Sequence, residues 1–384
     1  MSKVTAVCAL MIWAAASATA TTVNMASEKQ VIRGFGAATV WQGLLTTNEN
    51  NALWSTLGLS ICRVRIDPNG DWAHEIANAA AAKARGAIVF ASPWSPPPNL
   101  KSNNDTVGGY LLPQNYGAYR DWLNSFASQV PGLYAISVQN EPNINVTYES
   151  CTWTEQQMFD FIVNYGGSFT TRLIMPETFN YLKTFADSIL SNPTGAANTD
   201  IYAYHWYGAN RYGLNTQAYN LGKDIWMTEY FNDDQTIGGA IGTAVDIHKQ
   251  LTINMANAYC WWWVREPACN LIGPDASYIN PRGYVMGQFA KFVRPGSIRV
   301  DATGAPNNVY VTAYKNAGKL VVVAVNAGAK NVSETFTITN GSVASLASYS
   351  TSASTSMTPG PGYTVTNGSF SATLPAKSIT TFVQ

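Results

Sequence analysis

Charge is scarce in this chain of 384 residues: Asp, Glu, Lys and Arg make up only 12% of it, against about a quarter in an average soluble protein. Basic and acidic residues number 23 each, so there is no basic field to hold nucleic acid and no acidic tail. The three histidines, His74, His205 and His248, show no metal-ligand spacing, and neither a metal nor a cofactor is expected. A Gly-x-Ser-x-Gly elbow and a phosphate-binding loop are both missing. Past the first twenty residues no apolar run reaches the roughly 18 positions needed to cross a bilayer, so no membrane span is expected.

Cysteine is also sparse. Of five, Cys8 lies in a segment that reads as a secretory signal over residues 1–20: Lys3, an apolar stretch Val4–Ala16, then Ala18-Thr19-Ala20 as a small-residue cleavage site. Export to an extracellular location follows from that reading. The remaining Cys62, Cys151, Cys260 and Cys269 are even in number and suit either disulfides or buried thiols. Five Asn-x-Ser/Thr triplets occur, at Asn104, Asn145, Asn331, Asn340 and Asn367.

What the chain has instead is aromatic and apolar surface: 12 Trp, 20 Tyr and 46% hydrophobic residues, ample for a large core. From residue 30 to 292 a short β-prone run repeatedly precedes a helix-compatible stretch. The runs are Val31–Val40, Leu59–Asp67, Ala87–Trp94, Tyr134–Glu141, Arg172–Glu177, Ile201–Tyr207, Asp224–Phe231 and Ala256–Val264. Helical segments include Trp72–Arg85, Gln114–Gln129, Glu155–Thr170 and Gly239–Ala256. Eight strands alternating with helices predict an α/β fold closed as a (β/α)8 TIM barrel. Gly34-Phe35-Gly36-Ala37-Ala38-Thr39 lacks the third glycine of a dinucleotide turn, which disfavours an open doubly wound sheet.

Residues 293–384 change texture to short strands separated by Gly, Asn and Pro, and predict an attached side β-sandwich. Within it, Ser345–Thr358 is expected as a solvent-facing hairpin, and residues 21–29 as a strand that joins this second domain.

Catalysts of a TIM barrel gather at the C-terminal ends of its strands. Strand four ends Ser137-Val138-Gln139-Asn140-Glu141-Pro142-Asn143, and strand seven ends Trp226-Met227-Thr228-Glu229. Two carboxylates at one rim, among only ten glutamates in the chain, are what glycosidic cleavage requires: one protonates the leaving oxygen and the other attacks the anomeric carbon. Glu177, after Pro176 on strand five, is a rival third carboxylate. Trp41 follows the first run, Trp94 closes the third, and Trp261-Trp262-Trp263 ends the eighth. Indole faces at a barrel mouth suit the C–H faces of sugar rings, and alternation along strand eight favours Trp261 and Trp263 as the inward pair. His205 and Tyr207 end strand six.

The two glutamate segments, together with Gly34-Phe35-Gly36, Asn280-Pro281-Arg282-Gly283-Tyr284 and Arg294-Pro295-Gly296, resemble those of glycoside hydrolase family 30 over nearly the whole chain. The likeness is greatest to its bacterial-type xylanase branch. The resemblance implies Glu141 as acid/base and Glu229 as nucleophile of a retaining endo-β-1,4-xylanase, with xylan as the polysaccharide partner and a monomer as the default state. It further implies that Asn140 bonds the sugar 2-hydroxyl, Tyr207 holds Glu229, and Arg63 matches the arginine beside the nucleophile. Glucuronoxylan-specific members carry a pair of arginines after strand eight; here the stretch reads Arg265-Glu266, with a charge that repels a uronate at the second place. The expectation is a xylanase that does not need the glucuronate branch, with Arg265 as the alternative clamp. Two further readings are a hydrolase of other β-linked sugars and a catalytically weak xylan-binding protein.

Overall fold

The computed structural model describes residues 20–209 and 211–384. Apart from Ala20, the expected secretory signal lies outside the described residues. Eight parallel strands close into a barrel: Gly34–Ala38, Ile61–Ile66, Ile88–Pro93, Ala135–Ser137, Arg172–Thr178, Ile201–His205, Asp224–Glu229 and Ala258–Trp263, counted one to eight below. Closure is made by strand one pairing with strand eight, Phe35 opposite Tyr259. Strands buried on both faces need continuous apolar runs, which is why these segments read so clearly in the sequence. Ile61, Phe90, Ile174, Ile201, Trp226 and Cys260 fill the barrel axis, Trp226 edge-on to Phe90 at 5.6 Å. Glycine in strand one permits its close approach to strand two: a Cβ on Gly36 would collide with the Ile61 carbonyl there.

Helices Ala73–Lys83, Tyr116–Gln129, Glu155–Tyr165 and Ile237–Thr252 wrap the barrel within a few residues of the expected segments. Among the described residues no helix is long and apolar enough to cross a membrane. All four described cysteines are free and buried, so the thiol alternative holds rather than the disulfide one.

The second unit is a large sheet. From edge to edge it runs Thr358–Pro359, Ser345–Thr351, Ser378–Val383, Lys319–Asn326, Val309–Asn316, Ile298–Thr303, Ala20–Val31, Val332–Thr339 and Ser369–Leu374. Phe336 and Phe382 belong to strands far apart in that order, yet their rings lie 5.4 Å apart. The sheet therefore folds over on itself around an aromatic core completed by Phe370. Ala20–Val31 lies inside the sheet, antiparallel to Ile298–Thr303 and parallel to Val332–Thr339. Ser345–Thr351 turns back onto Thr358–Pro359 as the expected hairpin, with its turn and one face exposed; the other face, Leu346, Ser348 and Thr351, is buried rather than solvent-facing. The Thr351 hydroxyl accepts from Gln288 at 3.0 Å on the helix Pro281–Ala290, so the Ser/Thr face is an inter-domain contact.

Candidate active site

The C-terminal ends of the strands open into a cleft of about 760 Å³, lined by Trp41, Trp94, Glu141, Tyr148, Phe179, Tyr207, Glu229, Phe231, Trp262 and Trp263. Glu229 ends strand seven, and Glu141 lies four residues past the end of strand four. Glu141, Glu177 and Trp41 hold positive φ values of 46°, 51° and 57°. Non-glycine residues rarely adopt that conformation, and such strain concentrates at functional sites.

Beneath the carboxylates lies a buried ionic layer. Arg63 of strand two is wholly buried and donates to the Glu229 carboxylate, to Asn140 Oδ1 at 2.7 Å, to Glu177 Oε1 at 3.2 Å and to Ser92 Oγ at 3.2 Å. Its guanidinium also sits 4.7 Å from the ring centre of Trp94. Ser92 in turn donates to Glu177 Oε2 at 2.8 Å. Tyr207 donates its hydroxyl to Glu229 Oε1 at 3.0 Å, so two donors orient that carboxylate. His205 Nδ1 lies 2.8 Å from Glu141 Oε1 and 3.7 Å from Glu229 Oε2, and its Nε2 lies 3.6 Å from Glu177.

These contacts separate the acids. Burial, then the negative charge of Glu229, raises the Glu141 pKa above the ordinary carboxyl value; the hydrogen bond and charge of His205 and the charge of Arg63 oppose the rise. Burial would also raise Glu177, but the charge of Arg63 and the hydrogen bond and charge of His205 overcome it and hold the group down to about 2. Burial lowers His205, yet the charge of Glu229 and hydrogen bonds to Glu141 and Glu177 carry it up to about 9, so it is an imidazolium at neutral pH. Of the carboxyl groups in this layer, Glu141 is the one pushed toward its neutral form and Glu177 the one held ionised.

One ligand atom each from Glu141, His205 and Glu229 lie within 4.8 Å of one another, near enough for a metal ion. Their chemistry fits a proton cluster better. The protonated ring of His205 has no free lone pair, and the guanidinium of Arg63 already occupies a Glu229 oxygen.

Of the residues expected from sequence, Glu141, Glu229, Trp41, Trp94, Tyr207 and Trp263 line the cleft, while Asn140, Arg63 and His205 lie in the layer beneath. Glu177 is no rival: it is fully buried and spent on Arg63 and Ser92. Trp261 is a correction. It is fully buried, donates to the Cys269 carbonyl at 2.7 Å, and carries Arg282 on its ring at 4.5 Å. Trp262, its neighbour, faces the cleft instead. Alternation runs inward at Ala258 and Cys260 and therefore at Trp262, leaving Trp261 outward; a register shift after the Ala37–Trp261 pair, with Ala38 opposite Trp263, then lets Trp263 reach the cleft as well. Arg265 is a second correction, for it does not line the cleft. It binds buried Glu49 at 2.7 Å and the Gln42 carbonyl.

Sequence reasoning missed Tyr148, Phe179, Phe231 and Trp262 in the cleft wall. Phe179 and Phe231 each stand two residues beyond a glutamate at a strand end, Glu177 and Glu229, a spacing that carried the signal.

Comparison with known proteins agrees with this geometry. Residues 77–283 match a model described as the glycosyl hydrolase catalytic core, and residues 296–382 match the glycosyl hydrolase family 30 beta sandwich domain. Glucuronoxylanase XynC of Bacillus subtilis is 41% identical over 94% of this chain and 91% of its own. The family 30 subfamily 8 xylanase Xyn30A of Clostridium acetobutylicum superposes with a TM-score of 0.92 at 40% identity, over 95% of this chain and 99% of that one. A family 30 endoxylanase of Clostridium papyrosolvens gives 0.89 at 41% identity, with 95% and 99% covered. A barrel carrying two rim glutamates, a sandwich threaded by the first strand, and such likeness over the whole described length have one reading: the chain belongs to glycoside hydrolase family 30.

Proposed function

We propose that the protein is an exported, monomeric endo-β-1,4-xylanase that acts by retaining double displacement and does not require a glucuronate branch. The observation that carries the mechanism is the approach of Glu141 and Glu229 oxygens to within 4.8 Å. Retention wants carboxyl groups about 5–5.5 Å apart, whereas inversion needs about 6.5–9.5 Å to admit a water. Glu141 donates its proton to the glycosidic oxygen as Glu229 attacks the anomeric carbon; the C–O bond breaks and a glycosyl ester forms. With the Glu229 charge lost to the ester, Glu141 is a carboxylate and takes a proton from the incoming water. Attack of that water on the anomeric carbon frees Glu229, and the proton stays on Glu141 for the next cycle.

The ring faces of Trp262 and Trp263, stacked 4.7 Å apart, supply a platform for flat sugars. Xylan as substrate rests on the named activities of the relatives. Independence from glucuronate is supported by the lack of Lys or Arg in the cleft lining and by the engagement of Arg265 with Glu49. Export rests on the signal-like residues 1–20.

The test is product release from glucuronoxylan and from unsubstituted linear xylan, with Glu229→Gln as the blank. Comparable rates on both, lost by on the order of 10³-fold or more in the variant, are expected. Activity confined to glucuronoxylan would overturn independence and return Arg265 to the site. Silence on both would overturn the xylanase reading and point to other β-linked sugars or to binding alone.

A further inference from the structure

A second cavity, of about 640 Å³, opens beside the cleft between the loops that follow strands five and six. Asn180, Tyr181, Lys183, Arg211, Tyr212 and glycine backbone line it. Its wall toward the cleft is one residue thick. Phe179 and Tyr207 stack at 5.1 Å and face the cleft, while their chain neighbours Asn180 and Gly208 face the second cavity.

Its position relative to the chemistry is fixed by hydrogen bonds. Asn143, two residues past Glu141, donates to Asn180 Oδ1 at 3.1 Å and accepts the Phe179 N–H at 2.9 Å. The cavity is therefore tied to the loop of the acid/base, the group that faces the leaving arm of a bound polymer.

Its chemistry differs from the cleft. The cleft lining holds no cation, whereas this cavity holds two, in a chain with only 23 basic residues. Among the described residues neither Lys183 nor Arg211 forms a salt bridge; Asp187 lies near Lys183 on the helix Thr184–Ser191 without pairing to it. Lys183 Nζ donates to the Leu214 carbonyl at 3.0 Å and lies 4.9 Å from the Tyr181 ring centre, which fixes the ammonium at the wall. Tyr212 is pinned by its hydroxyl to Asp246 at 2.7 Å. Fixed rings beside two unneutralised cations make a surface for a sugar that carries a carboxylate.

We propose that this cavity receives a hexuronate side group carried on the leaving-group arm of the substrate. The inference rests on the xylanase reading and goes beyond it: a uronate is not required for cleavage, but one placed on the departing side is held.

The experiment uses the full chain with Glu229→Gln to prevent turnover. Calorimetry compares a xylo-oligosaccharide bearing one uronate with the same oligosaccharide lacking it, and free glucuronate is the third ligand. The acidic oligosaccharide should bind about fivefold more tightly than the neutral one, the range of a partly exposed charge pair. Added salt and Arg211→Gln should each bring that ratio toward one. In the active enzyme, fragments released from glucuronoxylan should carry uronate close to their new non-reducing ends, and Arg211→Gln should weaken that placement. Equal affinities in the parent, or a ratio indifferent to both Arg211→Gln and Lys183→Gln, would overturn the proposal while leaving the xylanase reading intact. Binding of free glucuronate as tight as that of the acidic oligosaccharide would overturn it in favour of a simple anion site. Failure of the neutral oligosaccharide to bind would remove the xylanase reading and this proposal with it.

Discussion

Around the mouth of the cleft Trp41, Tyr148, Phe231, Trp262 and Trp263 offer ring faces and little charge, while beneath them Arg63, His205 and Glu177 are wholly buried and fully ionic. The rim meets solvent and substrate, and its contacts are many, weak and replaceable. The floor meets neither, and its contacts are few, charged and mutually dependent: Arg63 alone lies within hydrogen-bonding distance of five other side chains, Ser92, Glu229, Asn140, Glu177 and His205. Binding and protonation are thus handled by different layers, and substitutions in each should fail in different ways.

The largest effect is expected in the floor. Arg63→Met leaves Glu177 buried without its main cation, and breaking a buried pair from one side is worth about 3–5 kcal/mol. Denaturant unfolding should show that loss, together with a collapse of kcat. A loss below about 1 kcal/mol would mean that the layer is wetter than its burial indicates. His205→Asn comes next and is read through pH. His205 opposes the rise of the Glu141 pKa, so removing it lets that pKa climb further. The proton donor then survives to higher pH, and the alkaline limb of kcat/KM should move up; a limb that stays or moves down would deny His205 its hold on the acid. The smallest effect belongs to the rim. Trp262→Ala should raise KM by roughly tenfold at most, an aromatic contact of about 0.5–1.5 kcal/mol, with the pH profile unmoved. Trp261→Phe should spare KM and lower the melting temperature, because that indole is a buried hydrogen-bonded wedge.

This division also marks what could be read in advance. The eight barrel strands were visible because each is buried on both faces and so spells out an apolar run, and Glu141 and Glu229 were visible because they end two of those runs. Trp262 was not, since a run as uniformly apolar as Ala258–Trp263 does not say which phase of its alternation faces the axis, and the register shift that also turns Trp263 to the cleft is set by its partner strand. The part played by Ser92 and Glu177 was hidden for a related reason. Ser92 on strand three lies beside Arg63 on the adjacent strand two, but both reach Glu177 on strand five only once the sheet has curled into a barrel, and no local spacing records such a meeting. Ser345–Thr358 was legible as a hairpin but not in its inward face, where the buried Thr351 hydroxyl finds its partner on a helix distant in sequence.

The strand Ala20–Val31 has a consequence for biosynthesis. It pairs on one side with Ile298–Thr303 and on the other with Val332–Thr339, and buried Glu334 accepts from both the backbone and the hydroxyl of Thr21. As the chain is made from its N-terminus, that strand emerges long before either neighbour exists. It must wait, unpaired, while the entire barrel is synthesised, and a product cut off after the barrel would leave both of its edges bare.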